Sequence, residues 1–118
     1  MDELTDAEHA ALVAALHTLQ RDLTTQLADT TGRTGTVTLD QSAVGRVSRI
    51  DAIQQQKMAE AEMVRAEARL QAVERALVWV ADDAYGWCRR CDEPIGFRRL
   101  QARPEAPFCV QCAAQMER

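Results

Sequence analysis

Aromatic side chains are scarce in this chain: two Phe, one Tyr and two Trp make up 4% of its 118 residues. β-Sandwiches and β-barrels draw on aromatic and β-branched residues for their strands, so this scarcity argues against both classes. Proline is also rare, and none occurs between residues 39 and 81. Ala, Leu, Glu, Arg and Gln dominate instead, which is a composition typical of long helices.

No segment reaches the ~20 consecutive apolar residues that cross a membrane, and the acidic stretch from Met1 to Glu8 lacks the apolar centre of a secretory signal. Both absences favour the reducing cytoplasm, where Cys-x-x-Cys pairs bind metals more often than they form disulfides. The formal net charge of -4 argues against a sequence-independent grip on DNA phosphates. We find no catalytic arrangement of Ser, His, Asp or Cys and no glycine-rich phosphate loop, and therefore predict that the protein is not an enzyme.

The first 28 residues carry the pattern of an amphipathic helix. Thr5 and Glu8 fit a capping box, in which each side chain accepts a hydrogen bond from the other residue's backbone N–H. Behind them an apolar stripe recurs at spacings of three and four: Leu12, Leu16, Leu19, Leu23 and Leu27. We predict a helix over about residues 6–28, followed by a loop over residues 29–38, where two glycines and several threonines interrupt the pattern.

A second, longer helix is predicted over about residues 39–81. Thr38 and Gln41 fit another capping box. A heptad seam follows, made of Met63, Ala66, Leu70, Val73, Leu77 and Val80. An earlier apolar run lies out of phase with it, at Val44, Val47, Ile50 and Ile53. Two helices with apolar stripes and a short connection pack as an antiparallel hairpin of coiled-coil type.

All four cysteines lie in two Cys-x-x-Cys pairs, Cys88 with Cys91 and Cys109 with Cys112, separated by seventeen residues. This is zinc-ribbon-like spacing, and it predicts one tetrahedral, structural Zn²⁺ with no open coordination position. An iron–sulfur cluster could use the same ligands, whereas a thioredoxin-like role would need a βαβ setting that is absent. His9 and His17 lie far away in the sequence, and we interpret them as surface residues.

The run from Tyr85 to Cys112 reads YGWCRRCDEPIGFRRLQARPEAPFCVQC. It closely resembles the DksA/TraR family of bacterial transcription regulators, both in its cysteines and in the interior IGxRRLxARP. The resemblance implies a mainly α fold, in which a helical hairpin precedes a four-cysteine zinc finger with a short C-terminal helix. It also implies binding to RNA polymerase rather than to promoter DNA, with the hairpin entering the secondary channel of the polymerase.

The hairpin tip departs from the family pattern. The family presents Asp-x-x-Asp-x-Ala there, with acidic residues that reach toward the active centre. The nearest run here is DQSAVG from Asp40 to Gly45, which keeps one aspartate, and Asp51 precedes an alanine further along. We predict partner contacts at the tip, or alternatively a solvated helix face, for Asp40, Arg46, Arg49 and Asp51.

Arg98 and Arg99 lie inside the run that matches the family best. Guanidinium groups suit carboxylates and phosphates, so both arginines could bind an anionic partner surface or hydrogen-bond the zinc loops.

These patterns predict a hairpin over residues 1–84 and a zinc finger over residues 85–118. RNA polymerase is the leading partner, with neither membrane nor sequence-specific DNA contact. The alternatives are a zinc-ribbon adaptor for another protein and nucleic-acid binding by the basic zinc module. Guanosine tetraphosphate is compatible with the leading interpretation, but no residue pattern supports it.

Overall fold

The protein is mainly helical, as predicted. The computed structural model describes residues 3–35 and 46–117, with side chains over residues 3–29 and 49–117. Within these residues, four helices follow in chain order: α1 (Asp6–Gly35), α2 (Arg46–Ala81), α3 (Phe97–Ala102) and α4 (Val110–Met116). Among the described residues, the only β-type pairing is an isolated bridge between Trp87 and Pro94.

The predicted capping box at the start of α1 is confirmed. The backbone N–H of Thr5 donates to Oε1 of Glu8 over 3.0 Å, and the N–H of Glu8 donates to Oγ1 of Thr5 over 3.1 Å. These bonds satisfy two of the backbone donors that the first turn of a helix leaves without partners.

We expect Thr5→Ala to lower the free energy of unfolding by about 1 kcal/mol, because it removes Oγ1, the acceptor for the backbone N–H of Glu8. Urea denaturation followed by circular dichroism measures this loss. Thr25→Ala is the control, since Thr25 lies exposed in the interior of α1 and alanine favours a helix there. Equal or greater loss in the control would contradict a capping role.

α1 and α2 pack against each other as an antiparallel hairpin. Leu4, just before α1, contacts Gly86 beyond the end of α2, whereas Leu23 shares a surface depression with Arg65 and Ala66. Residues later in α1 therefore lie beside residues earlier in α2, as an antiparallel arrangement requires. The 36 residues of α2 extend about 54 Å at the usual helical rise, which accounts for most of the 64 Å longest dimension of the molecule.

The apolar stripes predicted on both helices form the core. Leu12, Leu16 and Leu23 are buried, with Leu19 and Leu27 packed beside them. On α2, Ala66 and Val73 are buried and Leu70, Leu77 and Val80 partly so. Ala76 also belongs to the core, although the predicted seam passed it by. The core continues beyond the hairpin through Tyr85, Leu100 and Ala106.

The predicted loop over residues 29–38 is wrong for its first seven residues, because α1 continues to Gly35. Glycine costs a helix only about 1 kcal/mol relative to alanine, and no proline is present to stop propagation. The remaining residues 36–38, the predicted start of the second helix and its capping box lie outside the described residues. Of the early apolar run on α2, Ile50 and Ile53 are 55% and 45% exposed.

Candidate metal centre

The two Cys-x-x-Cys pairs converge on one point. The Sγ atoms of Cys88, Cys91, Cys109 and Cys112 all lie within 4.8 Å of one another, and Sγ of Cys91 is 3.8 Å from Sγ of Cys109. A tetrahedron with Zn–S bonds of ~2.3 Å has edges of about 3.8 Å, so the sulfur spacing fits one Zn²⁺. It is far too long for disulfides, whose S–S length is ~2.05 Å.

Local backbone geometry aims the sulfur atoms inward. In the first pair, the N–H of Arg90 donates to Sγ of Cys88 over 3.5 Å, and the N–H of Cys88 donates to the carbonyl of Glu93 over 2.8 Å. In the second pair, Cys109 caps α4, and its Sγ accepts from the N–H of Cys112 over 3.5 Å. Both turns therefore present thiolates together with backbone donors that stabilise their charge.

Burial and the surrounding hydrogen-bond donors shift the pKa values of the thiols in opposite directions. Burial raises the pKa of Cys88, but the backbone N–H groups of Cys91, Cys109 and Arg90 lower it more, to about 6. Burial and the neighbouring thiols raise the pKa of Cys112 to about 12. Four thiolates therefore do not form together unless a cation offsets their charge. A bound Zn²⁺ deprotonates its thiol ligands, and with four protein ligands its role is structural.

The histidines are not part of this cluster. His17 is exposed on α1 as predicted, but His9 is half-buried, and its ring meets that of Tyr85 edge-on at 5.9 Å between centroids. His9 is therefore a partly buried residue that packs against Tyr85 rather than a fully solvated one. Its position one turn into α1 brings it against the segment that leads to Cys88, because the hairpin is antiparallel.

A buried carboxylate links the zinc module to the hairpin through an ion pair. Glu105 is only 4% exposed, and its Oε2 accepts from Nε of Arg69 on α2 over 2.8 Å. Nε of Arg103 lies 3.6 Å from the same oxygen. Sequence reasoning missed this link, because Arg69 is 36 residues away and nothing in its spacing points to Glu105.

A buried tyrosine makes a second link within the same region. The hydroxyl of Tyr85 donates to the carbonyl of Pro104 over 2.8 Å, which joins the end of the hairpin to the loop before the second cysteine pair. Burial, and then the nearby carboxylate of Glu105, raise the pKa of Tyr85 far above its ordinary value. Tyr85 therefore stays a neutral hydrogen-bond donor.

Residues predicted to contact a partner do not all lie together. Arg98 is exposed on α3, whereas Arg99 is half-buried with an Nε that has no partner among the described residues. At the start of α2, Arg49 and Asp51 are exposed. Arg46 is the first residue of α2, with its side chain outside the described set, and Asp40 also lies outside it.

The structure thus defines a four-cysteine zinc finger at the open end of an antiparallel helical hairpin. The model of the prokaryotic dksA/traR C4-type zinc finger matches residues 84–118. RNA polymerase-binding transcription factor DksA from Escherichia coli (strain K12) is 40% identical over 48 residues, which are 41% of this chain and 32% of that protein. The protein of the same name from Caulobacter vibrioides (strain NA1000 / CB15N) is 44% identical over 46 residues, or 39% of this chain and 32% of that protein.

These matches span about a third of the length of the curated relatives. The whole fold is also similar to that of transcription factor DksA2 from Pseudomonas aeruginosa, with a TM-score of 0.73 and 24% identity over 95% of this chain and 84% of that one. The C-terminal segment is therefore similar to the dksA/traR zinc finger, and the chain shares the fold of DksA2. In the described part of the chain, no helix is long and apolar enough to cross a membrane.

Proposed function

We propose that this protein regulates transcription in the cytoplasm by binding RNA polymerase, through its secondary channel, rather than promoter DNA. The observation that carries the proposal is the 40% identity over 48 residues to a protein named RNA polymerase-binding transcription factor DksA. The net charge of -4 supports a protein partner over the phosphate backbone of DNA.

In this proposal the chain works as a hairpin over residues 1–84 and a zinc finger over residues 85–118. The hairpin tip leads, because α2 carries it about 54 Å from the cysteines. Arg49 and Asp51 are exposed near that end, and we expect them, with Arg46, to contact the channel. Asp40 is the first carboxylate after the predicted loop, and a carboxylate there suits a basic channel wall or a metal-centred active site.

A zinc-ribbon adaptor for a different protein is the second candidate. The observation that favours it is the exposure of three large apolar side chains on the first half of α2: Ile50 at 55%, Ile53 at 45% and Met58 at 63%. Apolar side chains exposed on one part of a surface are typical of protein contacts. The polymerase assay below separates this candidate from the first.

We expect the zinc-loaded chain to co-purify with core RNA polymerase at micromolar concentrations and to be displaced by a known secondary-channel binder. Asp40→Ala should weaken the effect on transcription more than it weakens binding, because the tip carboxylate acts on the active centre while the rest of the hairpin provides affinity. Asp22→Ala is the matched control, since Asp22 is an exposed aspartate in the middle of α1.

Absence of association, or association that the competitor cannot displace, would refute channel binding and favour the adaptor. A loss of transcriptional effect in Asp22→Ala equal to that in Asp40→Ala would remove the special role of the tip. Filter binding to promoter DNA across a salt series tests the remaining basic-module candidate, since phosphate contacts weaken steeply with salt.

A further inference from the structure

A cleft lies between α2 and the loop at residues 104–108. Its volume is about 270 Å³, slightly below the ~300–1,000 Å³ of typical small-molecule sites, which suits one or two side chains. Trp79, Pro107 and Phe108 supply most of its apolar surface, and Arg75 and Arg89 supply positive charge. None of these residues takes part in the metal cluster.

The two arginines of the cleft form no ion pair with the described residues. The guanidinium of Arg89 lies over the Trp79 ring, with Cζ 4.4 Å from the ring centroid, and Nη2 donates to the carbonyl of Ala84. The ion pairs of the described residues involve Arg69, Arg103 and Glu105, but neither Arg75 nor Arg89. Arg89 is thus held in place by a ring and a carbonyl, with its charge left for a partner.

Glu105 forms part of the cleft wall without leaving a free negative charge there. Its Oε1 is buried and not accessible from the cleft, while Oε2 is engaged by Arg69. Because Arg69 and Arg103 neutralise its charge, Glu105 does not repel an anionic occupant.

The basic character continues along the same flank of α2. At 3.6 residues per turn, Arg65, Arg69 and Trp79 fall on one side of the helix, and Arg65 and Arg69 line a neighbouring depression with Glu62. A chain with a net charge of -4 therefore carries a flank where arginines outnumber carboxylates. Charge complementarity points to an acidic occupant.

We propose that this cleft docks an acidic peptide segment of a partner protein. An apolar side chain of the segment packs against Trp79 and Phe108, and flanking carboxylates pair with Arg75 and Arg89. A nucleic acid fits less well, because its phosphate chain would run past the carboxylate of Glu62. The site lies on the flank of the hairpin, away from the tip that the polymerase proposal uses.

Fluorescence anisotropy on the full zinc-loaded chain tests this assignment. The probe is a labelled synthetic peptide of Asp and Glu around one central Leu, and the comparison peptides replace that Leu by Ser or every acidic residue by Lys. We expect saturable binding of the acidic Leu peptide, weakened severalfold by the Ser replacement and by added salt. A single-stranded oligonucleotide, used as competitor, should displace it poorly.

Arg75→Glu should weaken peptide binding roughly fivefold, since it replaces an attraction of about 0.5–1 kcal/mol by a repulsion. Arg75→Lys should keep most of the affinity. Arg21→Glu makes the same charge change on an exposed α1 residue outside the cleft and should alter affinity less than twofold. Circular dichroism and zinc content establish that each variant is folded.

The proposal is overturned if the acidic Leu peptide shows no saturable binding up to about 1 mM. A dissociation constant of that size corresponds to a binding free energy of only ~4 kcal/mol. It is also overturned by equal affinity for the Ser peptide, by preference for the Lys peptide or the oligonucleotide, or by equal sensitivity to Arg21→Glu and Arg75→Glu. None of these measurements involves polymerase, so the cleft and the proposed function can fail separately.

Discussion

Removing zinc should unfold the segment after α2 while most of the helical signal survives. Binding a structural Zn²⁺ supplies ~10–16 kcal/mol in small zinc domains, and the segment around the cysteines buries few large apolar residues apart from Tyr85 and Leu100. α1 and α2 hold 30 and 36 residues, against six and seven in α3 and α4. Chelation or Cys88→Ser should therefore cost only a small part of the far-ultraviolet circular dichroism.

Metal analysis measures the zinc content, and hydrogen exchange measures the loss of structure after chelation. Freshly purified protein should contain one zinc per chain, and amides of α3 and α4 should lose protection after chelation. Ala114→Ser is the matched control, since it introduces a hydroxyl on the exposed face of α4 and leaves all four thiols in place. Iron in place of zinc, or unchanged protection after chelation, would contradict a structural zinc site.

A charge placed at Val73 should lower the free energy of unfolding by about 4 kcal/mol. Val73 is fully buried between the helices, so the carboxylate of Val73→Asp would enter an apolar seam without a partner. That is a large fraction of the ~5–15 kcal/mol typical of small domains. Leu70→Asp and Leu77→Asp should cost less, because both positions are half-buried and a carboxylate there can reach water.

Val78→Asp is the matched control on the same helix, because Val78 is 57% exposed and undergoes the same chemical change. It and Glu67→Ala, at another exposed position, should stay within about 0.5 kcal/mol of the parent protein. Thermal and urea unfolding of the zinc-loaded protein rank the variants. Similar losses at Val73 and Val78 would mean that the packed face of α2 has been wrongly identified.

Features that depend on residues near one another in the sequence were predictable. The Thr5–Glu8 capping box, the leucine stripe of α1 and the two cysteine turns each follow from spacings of three or four residues, and each is present. The cysteines were decisive, because two Cys-x-x-Cys turns are a typical ligand set of a structural zinc site. The fold class followed from the same local patterns.

Features that join distant segments were not predictable from spacing. Glu105 meets Arg69 across the hairpin, and no periodicity relates the two.

The extent of the helices was also predicted incompletely. The stretch from Asp29 to Gly35 was interpreted as a loop because its glycines and threonines have low helix propensity, yet α1 runs through it. Propensity is a weak prior that cooperative propagation overrides. α3 was missed because six residues are too few for a periodic signal.

The contact between Leu4 and Gly86 ties the beginning of the chain to the entrance of the zinc finger. Gly86 has φ of +98°, which favours glycine, and a methyl group in place of its Hα would come within 3.2 Å of Leu4 Cδ1. His9 reaches the adjacent Tyr85. The first turn of α1 thus rests on a segment whose order depends on the metal. Zinc removal should therefore raise the exchange rates of amides near the start of α1 and leave those in the middle of α1 little changed, so the ion acts on residues some eighty positions away along the chain.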